Sequence, residues 1–398
     1  MRRLPGRRAA AFLAAALTGL APGAAAPANA AEKGVSAERV LFGQSAAFSG
    51  PARDLGTNMR RGIEAAFAEV NENGGVHGRR LKLTSLDDAY EPEAAIANTA
   101  RLAKETGVFA LIGAVGTPTS RSAVPVAAAA GVPYVAPFTG AEFLRDPKLR
   151  IVVNMRASYY QETEEMVARL IGDRGIRRIA VLYQDDTFGR AGYRGVLRAL
   201  KSRNLKPVGT GVYPRNTTAV KTALLDLRSA DPGAVVLVGA YKPVATFIAW
   251  ARHIGFDPVF MTISFVGSNA LRRELGSRGV GVFVTQVVPF PTADRPPVLK
   301  AYRRALARHP KGGQPGFVSL EGYLAGRLAI AALRDCGLQP DRACFLDRLR
   351  RKKEIDLDGF KLRYDTDDNQ GSDRVFLTVI GSDGRYRPVE TLRDSAAQ

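Results

Sequence analysis

The residues of this 398-residue chain that are best placed to do chemistry are few and scattered. Asp87-Asp88 and Asp185-Asp186 are adjacent carboxylates, the raw material of an acid/base pair or a cation seat. A plainer role fits them as well: ending strands and capping the helices that follow. Ser45 and Ser49 have no motif-level histidine partner. His77, His253 and His309 are isolated from one another, and no His/Cys cluster has metal-ligand spacing. The nucleophile-elbow, zincin, P-loop and dinucleotide glycine motifs are absent. The chain is therefore expected to be no enzyme and to need no metal or cofactor. Binding chemistry is better supplied. Ser45 to Leu55, Gly116 to Ser120, Pro137 to Gly140, Gln184 to Phe188, Gly239 to Lys242 and Thr262 to Phe265 are rich in Gly, Ser, Thr and aromatics. Hydroxyls and backbone N–H groups can hold a carboxylate, and aromatic rings can enclose an apolar body.

Those loops need strands and helices to aim them. Val40 to Gln44 is a short apolar run that reads as a buried strand. After it comes a helix with Met59, Ile63, Ala66, Phe67 and Val70 on one face, capped by Thr57 or Asn58 and stopped at Asn73-Gly74-Gly75. A second strand, Leu81 to Leu86, completes a βαβ unit and predicts a parallel sheet. Helices and strands keep alternating to Pro137. Arg150 to Asn154 reads as a crossover, and the alternation resumes from Tyr160 to Val288. Three helices follow, between Val298 and Lys352, then strands at Phe360 to Tyr364 and Val375 to Ile380 with a Ser382-Asp383-Gly384 turn. Trp250 sits among apolar helix residues and is expected in the core.

Four features in order carry a resemblance: the Ser49-Gly50-Pro51 loop, the helix end Asn71-Glu72-Asn73-Gly74-Gly75-Val76, Gly78, and the strand ending Asp87-Asp88. Together they resemble the Leu/Ile/Val-binding family of periplasmic receptors for ABC transporters, and the likeness continues to about Tyr386. The resemblance implies an α/β protein of two doubly wound parallel-sheet lobes joined by a three-crossing hinge. Lobe one would comprise residues 35–153 and 288–357, and lobe two residues 154–287 and 358–395. It also implies a small-molecule ligand held between the lobes, delivery to a membrane ABC permease, and action as a monomer. A sensor of the same fold and an exported hydrolase are the alternatives.

Position by position, the resemblance makes Thr117 the carboxylate-binding hydroxyl, with Gly116 allowing close approach. Phe138, Thr139 and Gly140 stand where the family has a Pro-small-small-Thr turn, so the threonine is displaced and a phenylalanine intrudes. Leu55 replaces a lid aromatic, while Phe188 and Tyr241 match pocket aromatics. Tyr160 and Gln161 are expected near the cleft, and Arg156 is expected to pair with a carboxylate of ligand or protein. The loop after Phe260-Met261 holds an acid in amino-acid receptors; here it offers Ser264 and Phe265. A buried ammonium without a carboxylate costs several kcal/mol, which favours an acid lacking the amine. Asp185 or Asp186 is the alternative counter-charge.

The N-terminus reads as a leader over residues 1–30. Arg2, Arg3, Arg7 and Arg8 precede an apolar stretch, and Ala28-Asn29-Ala30 places the cut before Ala31, with Ala24-Ala25-Ala26 as a second candidate, releasing a periplasmic protein. Formal charge is +19, of which the leader holds four arginines and no acids, leaving +15. Basic residues are spread over many helices and the chain is exported, so no nucleic-acid partner is expected. Cys336 and Cys344, eight apart, suit a disulfide in an oxidising compartment; two free thiols are the alternative.

Overall fold

A computed structural model describes residues 32–310 and 312–393, with Met1 and Gly6. Apart from those two residues, the expected leader and its cut before Ala31 lie outside the description. The first sheet has the order β2-β1-β3-β4-β5, all parallel. Its strands are β1 (Arg39–Ala46), β2 (Arg80–Asp87), β3 (Ala110–Ile112), β4 (Tyr134–Val135) and β5 (Val152–Val153). Between them run α1 (Arg53–Glu72), α2 (Pro92–Lys104) and α3 (Thr117–Ala129). Helix α1 starts a turn earlier than Thr57 or Asn58, after Ala52, which makes no side-chain cap. Leu55 explains the early start. It extends the buried stripe Met59, Ile63, Phe67 back by one turn.

The second sheet has the order β14-β13-β10-β9-β8-β6-β7. Here β6 (Ile179–Gln184), β7 (Thr210–Tyr213), β8 (Ala234–Val238), β9 (Val259–Thr262) and β10 (Phe283–Gln286) run parallel. The hairpin of β13 (Phe376–Ile380) and β14 (Tyr386–Val389) adds an antiparallel edge. Its helices are α4 (Tyr159–Arg174), α5 (Thr187–Lys201), α6 (Lys221–Ser229), α7 (Tyr241–His253) and α8 (Ser268–Leu275). Trp250 is not in the core: it is 40% exposed, with the Lys221 ammonium 4.5 Å from its ring. Lysine over an indole face satisfies both groups at the surface.

The chain then returns to the first lobe as α9 (Val298–Arg308), α10 (Phe317–Asp335), α11 (Arg342–Arg351) and the small hairpin of β11 (Ile355–Leu357) and β12 (Phe360–Leu362). Helix α10 lies against α1 with backbones almost touching. A Cβ on Gly62 would come 2.0 Å from Ser319 O, and one on Gly322 would come 2.2 Å from Met59 O. Only glycine permits that approach, and it fixes where Glu321 stands. Two of the three crossings run side by side: Asn154 N donates to Asn369 O at 2.8 Å, and Gly371 N to Asn154 O at 2.9 Å. No described helix is long and apolar enough to cross a membrane.

Cys336 and Cys344 are joined by a disulfide with Cα atoms 5.9 Å apart, tying the end of α10 to α11. Closing so short a loop limits the unfolded chain by about 2.5 kcal/mol. Unreduced, denatured protein should therefore show no reactive thiol, and Cys336→Ser/Cys344→Ser should lower the melting midpoint. Two titratable thiols in exported protein would contradict the bridge.

Candidate functional site

Both sheets present the carboxyl ends of their strands to a common cleft, which is where loops of this architecture hold ligands. From the first lobe, β3 leads into α3, whose first residue is Thr117, and β4 leads into Phe138-Thr139-Gly140. Thr117 Oγ1 and Thr139 Oγ1 are 2.7 Å apart, and Thr139 Oγ1 bonds Tyr159 Oη at 3.2 Å. All three side chains are buried. Gly116, at φ 105°, has no room for a side chain because the Tyr90 ring would lie 2.2 Å from its Cβ. The close neighbour of Gly116 is thus a protein ring. Gly140 has the same function towards Tyr159, whose Cδ1 would be 2.6 Å away.

The second lobe contributes Phe188 at the start of α5, Tyr241 at the start of α7, and Ser264-Phe265 after β9. Phe265 is the hub of the aromatic group. Its centroid lies 4.4 Å from Phe188, 5.4 Å from Phe138 and 6.0 Å from Tyr90, so rings of the two lobes meet directly. Tyr159 packs edge-on to Phe188 at 5.6 Å. Leu55 and Tyr241 meet beside Gly267, where a Cβ would lie 2.5 Å from Leu55 Cδ2. At this edge Asp54 N donates to Tyr241 Oη at 3.4 Å and Asp54 pairs with Arg273. At another edge Arg215 and Asn216 bond Glu91 at 2.6 and 2.7 Å. These contacts hold the lobes closed.

Below the rings lies a buried polar cluster. Arg156 Nη2 bonds Glu162 Oε1 at 3.1 Å and also Ser264 Oγ, while Nη1 is 3.4 Å from Glu321 Oε1. Glu162 further accepts from Ser264 N at 2.8 Å, Ser264 Oγ at 2.9 Å and Thr285 Oγ1 at 2.7 Å. Burial works against the Arg156 charge, but Glu321 and Glu162 more than offset it. Sequence reasoning missed both glutamates. The signal was present: each stands on the apolar face of its helix, Glu162 beside Tyr159, Met166 and Val167, and Glu321 beside Phe317, Leu324 and Leu328.

Tyr160 and Gln161 are not brought to this group. The helical repeat that turns Tyr159 and Glu162 inward turns them outward. Tyr160 lies beneath the Arg198 guanidinium, and Gln161 completes the Ser158 capping box and bonds Asp373 at 2.6 Å. Both line an open groove of about 820 Å³ with Glu142, Arg145 and Asp373. Neither candidate counter-charge is free. Asp185 pairs with Arg190 at 2.6 Å at the surface. Asp186 caps α5 through Phe188 N and Gly189 N, with its other oxygen on Gln184 Nε2. Asp87 and Asp88 serve as strand ends. Asp87 accepts from Phe48 N and Ala89 N, and Asp88 from Ser45 Oγ and Tyr90 N. No group of three or more His, Cys, Asp or Glu residues among the described residues could hold a metal.

Burial pushes the Glu321 carboxyl up to about 7, against the opposing pull of Arg156. Between pH 4.5 and about 7 the folded protein therefore keeps a proton that the unfolded chain has lost, and stability falls as pH rises through that window. Thermal melts across that range should show this fall, and Glu321→Gln should flatten it towards its upper end, above the range of Asp88, whose carboxyl burial raises to about 6. An unchanged slope in the variant would place the titration elsewhere.

A family model described as periplasmic binding protein matches residues 40–385. A Leu/Ile/Val-binding protein homolog of Brucella abortus is 28% identical over 312 residues, covering 74% of this chain and 76% of its own length. Among solved structures, a possible leucine/isoleucine/valine-binding protein from Rhodopirellula baltica is 37% identical, with a TM-score of 0.86 over 91% of this chain and 98% of its own. A substrate-binding periplasmic protein from Ralstonia solanacearum is 30% identical, with a TM-score of 0.83 over 88% and 99%. Two doubly wound lobes, a three-crossing hinge and this extent of matching sequence agree: the chain belongs to the periplasmic binding protein family, as a solute-binding protein of the type I, Leu/Ile/Val-binding kind.

Proposed function

We propose that the protein captures a small, carboxylated and partly apolar molecule between its lobes in the periplasm and delivers it to a membrane ABC permease. It acts as a monomer and without catalysis, with the lobes 35–153 plus 288–357 and 154–287 plus 358–395 moving about the hinge, save that β12 stays with the first lobe through its pairing with β11. The supporting observation is the juxtaposition at the cleft: a buried hydroxyl pair, Thr117 and Thr139, is joined through Tyr159 to the aromatic group of Phe188, Phe265 and Phe138. The hydroxyls and the N-terminus of α3 suit a carboxylate. The rings suit an apolar body that slides between Phe138 and Phe265 when the hinge opens and is enclosed when it shuts.

An α-amino acid fits less well. Ser264 stands in the loop where a counter-charge would be expected, and the nearest acid, Glu162, has both oxygens engaged by Ser264, Thr285 and Arg156. Branched or aromatic acids should bind more tightly than leucine in calorimetry. Thr117→Ala should weaken acid binding by about 1.5–3 kcal/mol, or roughly 10- to 150-fold. Micromolar leucine binding with no response to such acids would overturn the reading.

A further inference from the structure

Among the described residues, Arg156 is the one Lys or Arg that is fully buried, and the ligand reading leaves it without a function. It stands in the first crossing segment, and its side chain has no exposed surface. Its guanidinium lies 5.0 Å from the Phe138 ring, next to Thr139 in the chain, and 6.0 Å from the ring of Tyr159, whose hydroxyl bonds Thr139. The charge thus sits in the wall that carries the hydroxyl pair. Both terminal nitrogens have partners, but Nε is buried and has none among the described residues. Buried donors without an acceptor are rare, and a guanidinium edge is shaped for a carboxylate. Glu162 and Glu321 balance the guanidinium charge, so what an ammonium placed here would meet is a buried N–H donor where it needs an acceptor. It would also find the Glu162 oxygens already taken.

We propose that Arg156 is the specificity-determining residue of the cleft: its buried, unpartnered Nε–H admits acids and gives nothing to molecules that must also seat an ammonium group. This rests on the cleft being the ligand site, as proposed above. In mechanism the ligand carboxylate takes the Nε–H as well as the threonine hydroxyls, while Glu162, Ser264 and Glu321 keep the guanidinium from turning away.

Two matched pairs of probes isolate the amine: 4-methylpentanoate against leucine, and 3-phenylpropanoate against phenylalanine. Calorimetry on the wild-type protein should show the acid of at least one pair binding about 100-fold more tightly than its amino acid. Arg156→Lys keeps the charge but loses Nε and the planar fork, and should weaken acid binding about tenfold. Arg156→Met/Glu162→Gln removes the cation without stranding a carboxylate on Glu162, and should collapse the preference for the acid to roughly tenfold or less. Acid affinity in Arg156→Lys equal to wild type, or full preference retained in the double variant, overturns the role of Arg156 while leaving the cleft reading intact. Failure of both acids to bind wild type overturns the cleft reading and the inference with it. If the double variant does not fold, Arg156→Lys alone decides.

Discussion

A guanidinium buried between two carboxylates is the constraint around which this cleft is built. Taking Arg156 and Glu162 out of water costs several kcal/mol for each charge, recovered only if the geometry is held, and Glu321 lessens its own cost by holding its proton up to about pH 7. The fold holds it from three directions. The first crossing segment supplies Arg156, helix α4 supplies Glu162 one turn after its capping box, and α10 supplies Glu321. The glycine contact between α1 and α10 lets the last of these come near enough. Because the partners come from both lobes and from the hinge, the cluster links lobe position to site electrostatics.

Above that polar floor the cleft divides its chemistry by side-chain type. Thr117 and Thr139 offer hydroxyls at the first lobe's strand ends, and Phe188 and Phe265 offer rings from the second. Phe265 meets Phe138 and Tyr90 directly, so lobe closure and aromatic packing are a single event. The edge contacts, Asp54 with Arg273 and Glu91 with Arg215, are partly exposed pairs, each worth at most about 1 kcal/mol. Contacts of that size steady a closed form without locking it, as a receptor that must release its cargo requires.

Much of this was legible in the sequence. The βαβ unit over Val40 to Asp88, the alternation that followed it and the final hairpin all came from hydrophobic period and turn residues. Starts of helices were less legible. Helix α1 begins after Ala52 through Leu55 burial, not through the polar cap that Thr57 or Asn58 suggests. The short helix α8 and strand β11 have too few residues to show a period. At the cleft, Thr117, Thr139 and Phe265 are legible as candidates because their types suit binding. The glutamates were overlooked because a search along loops passes over an acid on the buried face of a helix. The same helical geometry explains Tyr160 and Gln161, which are neighbours in sequence of Tyr159 and Glu162 but point to the opposite side.

Where a bound acid puts its charge decides whether Arg156 and the threonine pair act together. A crystal structure of the protein with 3-phenylpropanoate or 4-methylpentanoate answers that directly. The expected result is a carboxylate within hydrogen-bond distance of a Thr117 or Thr139 hydroxyl and of Arg156 Nε, with its apolar body between Phe138 and Phe265. An acid seated instead in the groove beside Tyr160 and Gln161, or an amino acid whose ammonium rests on Glu162 with Arg156 swung aside, would contradict it.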